Sequence, residues 1–294
     1  KNPKIVIRIQ DPSSGIKALS ELGLELHEMT ILRRAIVKKQ GLVVVAGATG
    51  QGKSTTLMAC IQELNDSKRA IYTLEDPVEY VLPGVSQISV ASKEEDVAPD
   101  RPSVTDALRI ILRMAPKIIM VGEVRDLGTA TAAIEASNTG HMIFSTIHAN
   151  SALDVVRRFQ RWKVDTLNFA ENVKLITSQR LVRRLCTCAE RVPMDQKTQR
   201  IFECNKVPHT GWISQASKKG CPRCNYTGHH GRLVIVELLE INEELVELIA
   251  SQAPTAKLSE ALTRANYHSL TSSALRRVAT EQTSLEEIAE YVEF

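Results

Sequence analysis

Gly47-Ala48-Thr49-Gly50-Gln51-Gly52-Lys53-Ser54 is a G-x-x-x-x-G-K-S loop, and its chemistry dictates what must surround it. Backbone N–H groups converge on an anion only where the chain can curl, which the glycines permit. Lys53 adds a point charge for the outer phosphates, and the Ser54 hydroxyl can ligate Mg²⁺. Before the loop, Gly41 to Gly47 is a short Val-rich run suited to a strand buried on both faces. After it, Ser54 to Leu64 reads as a helix whose first turn, Ser54 and Thr55, faces the phosphates. The stretch therefore predicts a nucleoside triphosphate ligand.

Working outward, apolar runs of strand length alternate with helical patterns from Glu28 to about Thr177, the pattern of a parallel α/β sheet. The expected strands are Leu42 to Ala46, Ala70 to Leu74, Lys117 to Val121 and Met142 to Ile147. Ala91 to Pro102 is polar, acidic and proline-containing, so it reads as a loop. A helix then starts at Pro102 and Ser103, with Val104, Ala107, Leu108 and Ile111 as its apolar stripe.

A phosphate loop binds but does not hydrolyse alone. It needs carboxylates at neighbouring strand ends to hold Mg²⁺ or to orient water. Two clusters qualify: Glu75, Asp76 and Glu79 after one expected strand, and Glu123 after the Ile118 to Val121 run. Ligands of open parallel sheets sit at strand ends, so both clusters are expected near Lys53. His141 and His148 bracket a further strand, which places His148 where it could sense a terminal phosphate.

The bulk numbers agree with an ordinary soluble protein. With 294 residues, 43% of them hydrophobic, the chain can bury a large core. No run approaches the roughly 20 apolar residues of a membrane span, so membrane contact is expected only through partners. A net charge of +3 is too small to argue for nucleic acid, and aromatics at 4% leave little to stack bases on. The basic patch Arg180, Arg183 and Arg184 fits a solvated helix face as well as a phosphate backbone.

Four of six cysteines crowd into Cys186 to Cys224, pointing to metal in a reducing compartment more than to a disulfide scaffold. Cys221-Pro-Arg-Cys224 is a good half of a zinc knuckle, and Cys186-Thr-Cys188 is a shorter chelating pair. Cys204 or His209 could substitute as fourth ligand; four reduced cysteines in a small core, or a disulfide, are the alternatives. Cys60 reads as packing.

Four boxes in order resemble the secretion ATPase superfamily of type II secretion and type IV pilus assembly motors. They are the Walker A loop, the aspartate box Glu75-Asp76-Pro77-Val78-Glu79-Tyr80, the Walker B run ending Gly122-Glu123-Val124-Arg125-Asp126, and the histidine box Gly140 to His148. Arg109 and Arg113 match the family's stretch before Walker B. The resemblance implies a RecA-like ATPase core, and a homohexameric cytoplasmic ring at the inner membrane that hydrolyses ATP with Mg²⁺ and drives a platform protein. Carried over residue by residue, Lys53 and Ser54 hold phosphate and Mg²⁺, Glu123 orients or deprotonates water, Glu75 assists at the metal and His148 contacts the terminal phosphate. Arginines of an N-terminal domain complete the family's site, and Arg8 is the candidate here.

Assembly motors of the family carry the cysteine module that retraction motors lack, which favours assembly or secretion. Two departures stand out: Gly128 precedes Thr129 and Ala130 where the family has Glu-Thr-Ala, and Pro116-Lys117 replaces Pro-Asp. A conjugation-related pilus motor, and less so a RecA-like nucleic-acid motor, are the alternative readings.

The expected organisation has four parts. Residues 1–27 are the end of a truncated N-terminal domain with a strand at Ile5 to Ile9 and a turn at Pro12 to Gly15; the opening at Lys1 reads as cut from something longer. Residues 28–180 form the core, 181–235 the cysteine module and 236–294 a helical region. Thr283 or Ser284 is expected to cap its last helix, with Glu286 or Glu287 three residues on.

Overall fold

The computed structural model describes residues 16–91, 96–98, 100–265 and 267–294; Arg8, the Ile5 to Ile9 strand and the Pro12 to Gly15 turn lie outside them. The chain runs through α1 (Leu26–Ile36), β1 (Gly41–Ala46), α2 (Lys53–Leu64), β2 (Ile71–Glu75), β3 (Ser86–Ser89), α3 (Val104–Ile111), β4 (Ile118–Val121), α4 (Leu127–Asn138) and β5 (Met142–Ile147). It continues through α5 (Ala152–Arg161), α6 (Thr166–Asn172) and β6 (Val173–Leu185). There follow β7 (Glu190–Pro193), α7 (Gln196–Cys204), β8 (Trp212–Gln215), β9 (His229–Glu240), α8 (Glu243–Ala250), α9 (Thr255–Arg264), α10 (Leu270–Ala279) and α11 (Leu285–Ile288). Among the described residues the main sheet has seven strands in the order β3-β2-β4-β5-β1-β6-β9. All its pairs are parallel except β6 with β9. This is the expected α/β, mostly parallel, P-loop fold.

Strand β1 shows why the sheet sits where it does. Its side chains alternate by the two-residue strand period: Leu42, Val44 and Ala46 face a core shared with α3 to α6, α8 and α9. Val43 and Val45 face the opposite core, built with α1 and α2. All five are fully buried. Each branched side chain removed from water contributes about 1.5–3 kcal/mol, which fixes β1 at the sheet's centre and the loop after it at the strands' C-terminal edge.

Helix starts follow the expected cap chemistry. The Ser103 side chain accepts from Asp106 N at the start of α3, and Ser284 accepts from Glu287 N at α11.

The structure corrects two expectations beyond residue 172. Arg180, Arg183 and Arg184 lie on strand β6, not on a helix face, and β6 runs past the boundary drawn at 180. The helical region drawn from 236 begins as strand, because β9 continues to Glu240 before α8 starts. The reason is physical. Within β6 the buried middle, Thr177, Ser178 and Gln179, is polar, so no apolar run marks it as a strand.

The far ends of β6 and β9, α7, α10, α11 and the small β7–β8 pair enclose a third core around Phe202, Leu233, Ile235 and Leu275.

Candidate nucleotide site and cysteine cluster

Every parallel strand next to β1 delivers its C-terminal end to one edge, and the phosphate loop rises there. Ala48, Thr49 and Gly50 form its exposed crest, and Ser54 and Thr55 stand exposed on the first turn of α2. Gly47 has φ 154°, and a Cβ there would lie 2.9 Å from the Gln179 carbonyl oxygen, so only glycine fits against β6. Lys53 folds back over the loop, its Nζ donating to the Gly47 and Ala48 carbonyls at 2.8 and 3.0 Å. Burial lowers the Lys53 ammonium below its ordinary value; Glu123 opposes that shift and Arg180 adds to it. Both charges therefore bear on the lysine of the motif.

Strand β6 clamps the loop. Gln179 Nε2 donates to the Gln51 carbonyl at 2.7 Å, and Thr56 Oγ1 on α2 donates to Gln179 Oε1 at 2.9 Å. In return the Leu181 amide donates to Gln51 Oε1 at 2.6 Å. The x residues of the motif are thus positioned by a strand more than 120 residues downstream.

The two acidic clusters come to the same edge. Gly122 follows β4, where its amide donates to the Leu74 carbonyl at 2.8 Å, drawing the ends of β4 and β2 together. Glu123 is then gripped from both sides: Arg125 Nε donates to Oε2 at 2.7 Å, and His148 Nε2 lies 3.0 Å from Oε1. Glu75 ends β2 as a buried carboxylate whose Oε1 accepts from Thr73 Oγ1 at 2.6 Å and from Gln87 Nε2 at 2.9 Å. Asp76 pairs with Arg101 instead, and Glu79 lies in the irregular segment beyond. His141 sits at the opposite end of β5, with Nδ1 2.9 Å from the Ala136 carbonyl oxygen. Six residues of strand, about 20 Å, keep it from this edge.

Arg109 is exposed and paired with Asp106, while Arg113 lies in the turn after α3. The two departures also lie apart from the loop. Lys117 is exposed at the start of β4, and Gly128 lies in the first turn of α4, which Asp126 caps by accepting from Thr129 N at 2.8 Å.

At the far end of the antiparallel β6–β9 pair, the sulfurs of Cys186, Cys188, Cys221 and Cys224 all lie within 4.8 Å of one another. Three pairs are 3.6, 3.7 and 3.9 Å apart. Tetrahedral thiolates about 2.3 Å from a zinc ion would be spaced about 3.8 Å, so the donor set fits that metal. A disulfide would need about 2.05 Å, and these cysteines are free. The turn is tightly built: the Cys221 and Gly228 amides donate to Cys224 Sγ at 3.2 and 3.3 Å. Neither alternative ligand joins the group. Cys204 is exposed at the end of α7, and His209 packs edge-on against Phe202. Cys60 is buried in α2, where burial pushes its thiol up to about 12.

A family model described as a type II/IV secretion system protein matches residues 1–290. The chain belongs to that family. Among relatives, it is 37% identical over 286 residues to the type II secretion system ATPase E of Vibrio cholerae, covering 97% of this chain and 55% of that protein. It is 35% identical over 290 residues to the type IV pilus assembly ATPase PilB of Acinetobacter baylyi, covering 97% of this chain and 48% of that one. The chain thus spans about half the length of the relatives it matches. A crystal structure of the pilus retraction motor PilT with bound ADP superposes with a TM-score of 0.69 at 25% identity, covering 98% of this chain and 69% of that one.

Within this family member, sequence reasoning missed Gln179 and Gln87, and it named Arg180 and Arg125 without seeing that they hold the loop's support and Glu123. The run Thr177-Ser178-Gln179 between apolar Leu175-Ile176 and Leu181-Val182 was the available signal, because polar residues inside a strand must have partners.

Proposed function

We propose that this chain is the motor part of a Mg²⁺-dependent ATPase that powers type II protein secretion or type IV pilus assembly as a homohexamer in the cytoplasm, docked on an inner-membrane platform protein. One observation carries the catalytic reading: Glu123, held by Arg125 and His148, bears electrostatically on Lys53 of the phosphate loop. A carboxylate so oriented, and felt by the lysine of the phosphate loop, supports a role in hydrolysis.

In this reading the loop amides, Lys53 and the Thr55 turn cradle the triphosphate, whose oxygens compete with Gly47 and Ala48 for the Lys53 ammonium. Ser54 and Glu75 are the hard oxygen donors that would hold Mg²⁺, which when bound neutralises phosphate charge. Glu123 orients a water towards the γ-phosphorus and takes its proton. The new P–O bond forms as the bond to the bridging oxygen breaks, releasing ADP and phosphate. His148, already in contact with Glu123, donates to the terminal phosphate.

The cysteine cluster holds a structural zinc ion in the same reading. Among the described residues no helix is long and apolar enough to cross a membrane, which supports contact with the bilayer through partners. The low aromatic content speaks against direct nucleic-acid binding.

The test is phosphate release from ATP by the full-length protein. Mg²⁺-dependent turnover that Lys53→Ala abolishes and single-stranded DNA does not stimulate is the expected result. DNA stimulation with no response to platform protein would replace the proposal with a nucleic-acid motor.

A further inference from the structure

One buried acid has no part in the chemistry above. Glu237 lies on β9 opposite Ser178 of β6 and is 5% exposed. Its Oε1 accepts from the amide of Ala152, the first residue of α5. Leu270, the first residue of α10, and the Tyr267 side chain also bear on this carboxylate, both favouring its charged form. First-turn amides have no partner within their own helix, so one carboxylate serves the starts of two helices from different parts of the chain. Burial raises the Glu237 carboxyl above its ordinary value, while these bonds and Arg180 oppose the rise.

What lies upstream of Ala152 is the segment that leaves His148, and each of its turns is pinned. The His148 carbonyl accepts from Arg158 Nη1 at 2.7 Å. The Asn150 carbonyl accepts from Ser178 Oγ at 3.1 Å and from Arg180 Nη2 at 3.0 Å. Arg180 Nη1 meanwhile donates at 2.9 Å to the Gln179 carbonyl that packs under Gly47.

Downstream, α10 carries the connection onward. Ser273 Oγ donates to Glu28 Oε1 at 2.8 Å and accepts from the Val236 amide at 3.3 Å. Arg277 Nη2 donates to Glu28 Oε2 at 2.7 Å, and that same carboxylate oxygen accepts from Glu25 N at the start of α1.

We propose that Glu237 is a positioning residue that couples the His148 segment to α10 and, through Ser273 and Glu28, to the start of α1. What His148 meets in the nucleotide pocket is thereby felt at the start of α1. The inference rests on the nucleotide reading of the site and deepens it by naming the path that leaves it. A carboxylate suits the site because Oε1 accepts from the Ala152 amide while its charge is favoured by Leu270 and Arg180. Glutamine keeps the size but offers a single acceptor.

The experiment is amide hydrogen exchange on the full-length protein with and without Mg–ADP, beside steady-state ATP turnover. In the parent, nucleotide is expected to raise protection in residues 148–155, 268–276 and 25–30. In Glu237→Gln, protection in 148–155 remains, the nucleotide-linked change in 268–276 falls about ten-fold, and kcat falls with KM for ATP held within about two-fold. A variant that keeps the change in 268–276 and the parent kcat overturns the coupling while leaving the site reading intact. A parent that neither binds nor turns over ATP overturns both. If Glu237→Gln does not unfold cooperatively, Ser273→Ala reads the next link: loss of the change in 25–30 with retention in 268–276 supports the path, and retention in both overturns it.

Discussion

His148 Nε2 lies 3.0 Å from Oε1 of Glu123, so the last residue of the histidine box touches the acid of the Walker B run. The contact joins the ends of two adjacent parallel strands, β4 and β5. With Arg125 on the other oxygen, the carboxylate is held in direction by the protein's own side chains. A water-orienting base is useful only if its oxygens already point the right way.

His148→Gln is accordingly expected to lower kcat for ATP by about 10²-fold with little change in KM, since proton and phosphate contacts that tighten in the transition state are lost. Steady-state kinetics against ATP concentration check this. A raised KM at parent kcat would assign His148 to ground-state binding.

Gln179→Ala removes the clamp on the phosphate loop. It leaves the Thr56 hydroxyl, itself 6% exposed, without its acceptor. A stability loss of about 1–3 kcal/mol and weaker nucleotide binding are expected together. Denaturant unfolding and titration with a fluorescent ADP analogue measure both.

Cys221→Ser breaks the four-thiolate set. Metal analysis is expected to fall from about one zinc per chain to none, with a lower Tm from loosening of the Phe202 core that shares the module. A metal-free parent with the same Tm as the variant would show that the four thiols pack without an ion.

Arg277 and Glu28 are both nearly inaccessible, with side-chain exposures of 2% and 3%. Arg277→Met leaves the Glu28 charge buried without its cation, for an expected loss of about 3–5 kcal/mol. Replacing Glu28 by Gln in the same chain should recover part of that loss, because the stranded charge is removed. Chemical unfolding of both single variants and the double variant gives the coupling.

Much of the centre was legible because its physics is local. The Val-rich run of β1, the glycines of the loop and the acids after β2 and β4 each carry their reason within a few residues. Strands β6 and β9 were not legible, for two different reasons. In β6, Thr177, Ser178 and Gln179 are buried and polar because β6 supports the phosphate loop and the Asn150 turn, so the site itself erased the strand's apolar signature. In β9 the apolar run Leu233 to Leu239 was visible, but its antiparallel register against β6 depends on contacts about fifty residues apart in sequence. Glu237, a lone acid inside that run, was a readable sign of a buried partner. Strand β3 has only four residues and no apolar run, and it is recognised by its pairing with β2 alone.

The central claim is that Glu123 works on water beside a triphosphate held by Lys53. It is tested most directly by single-turnover ATP cleavage in the full-length protein carrying Glu123→Gln, with nucleotide affinity measured in parallel. The account predicts retained binding and a cleavage rate lowered by at least about 10²-fold. Cleavage at the parent rate with retained binding would contradict it.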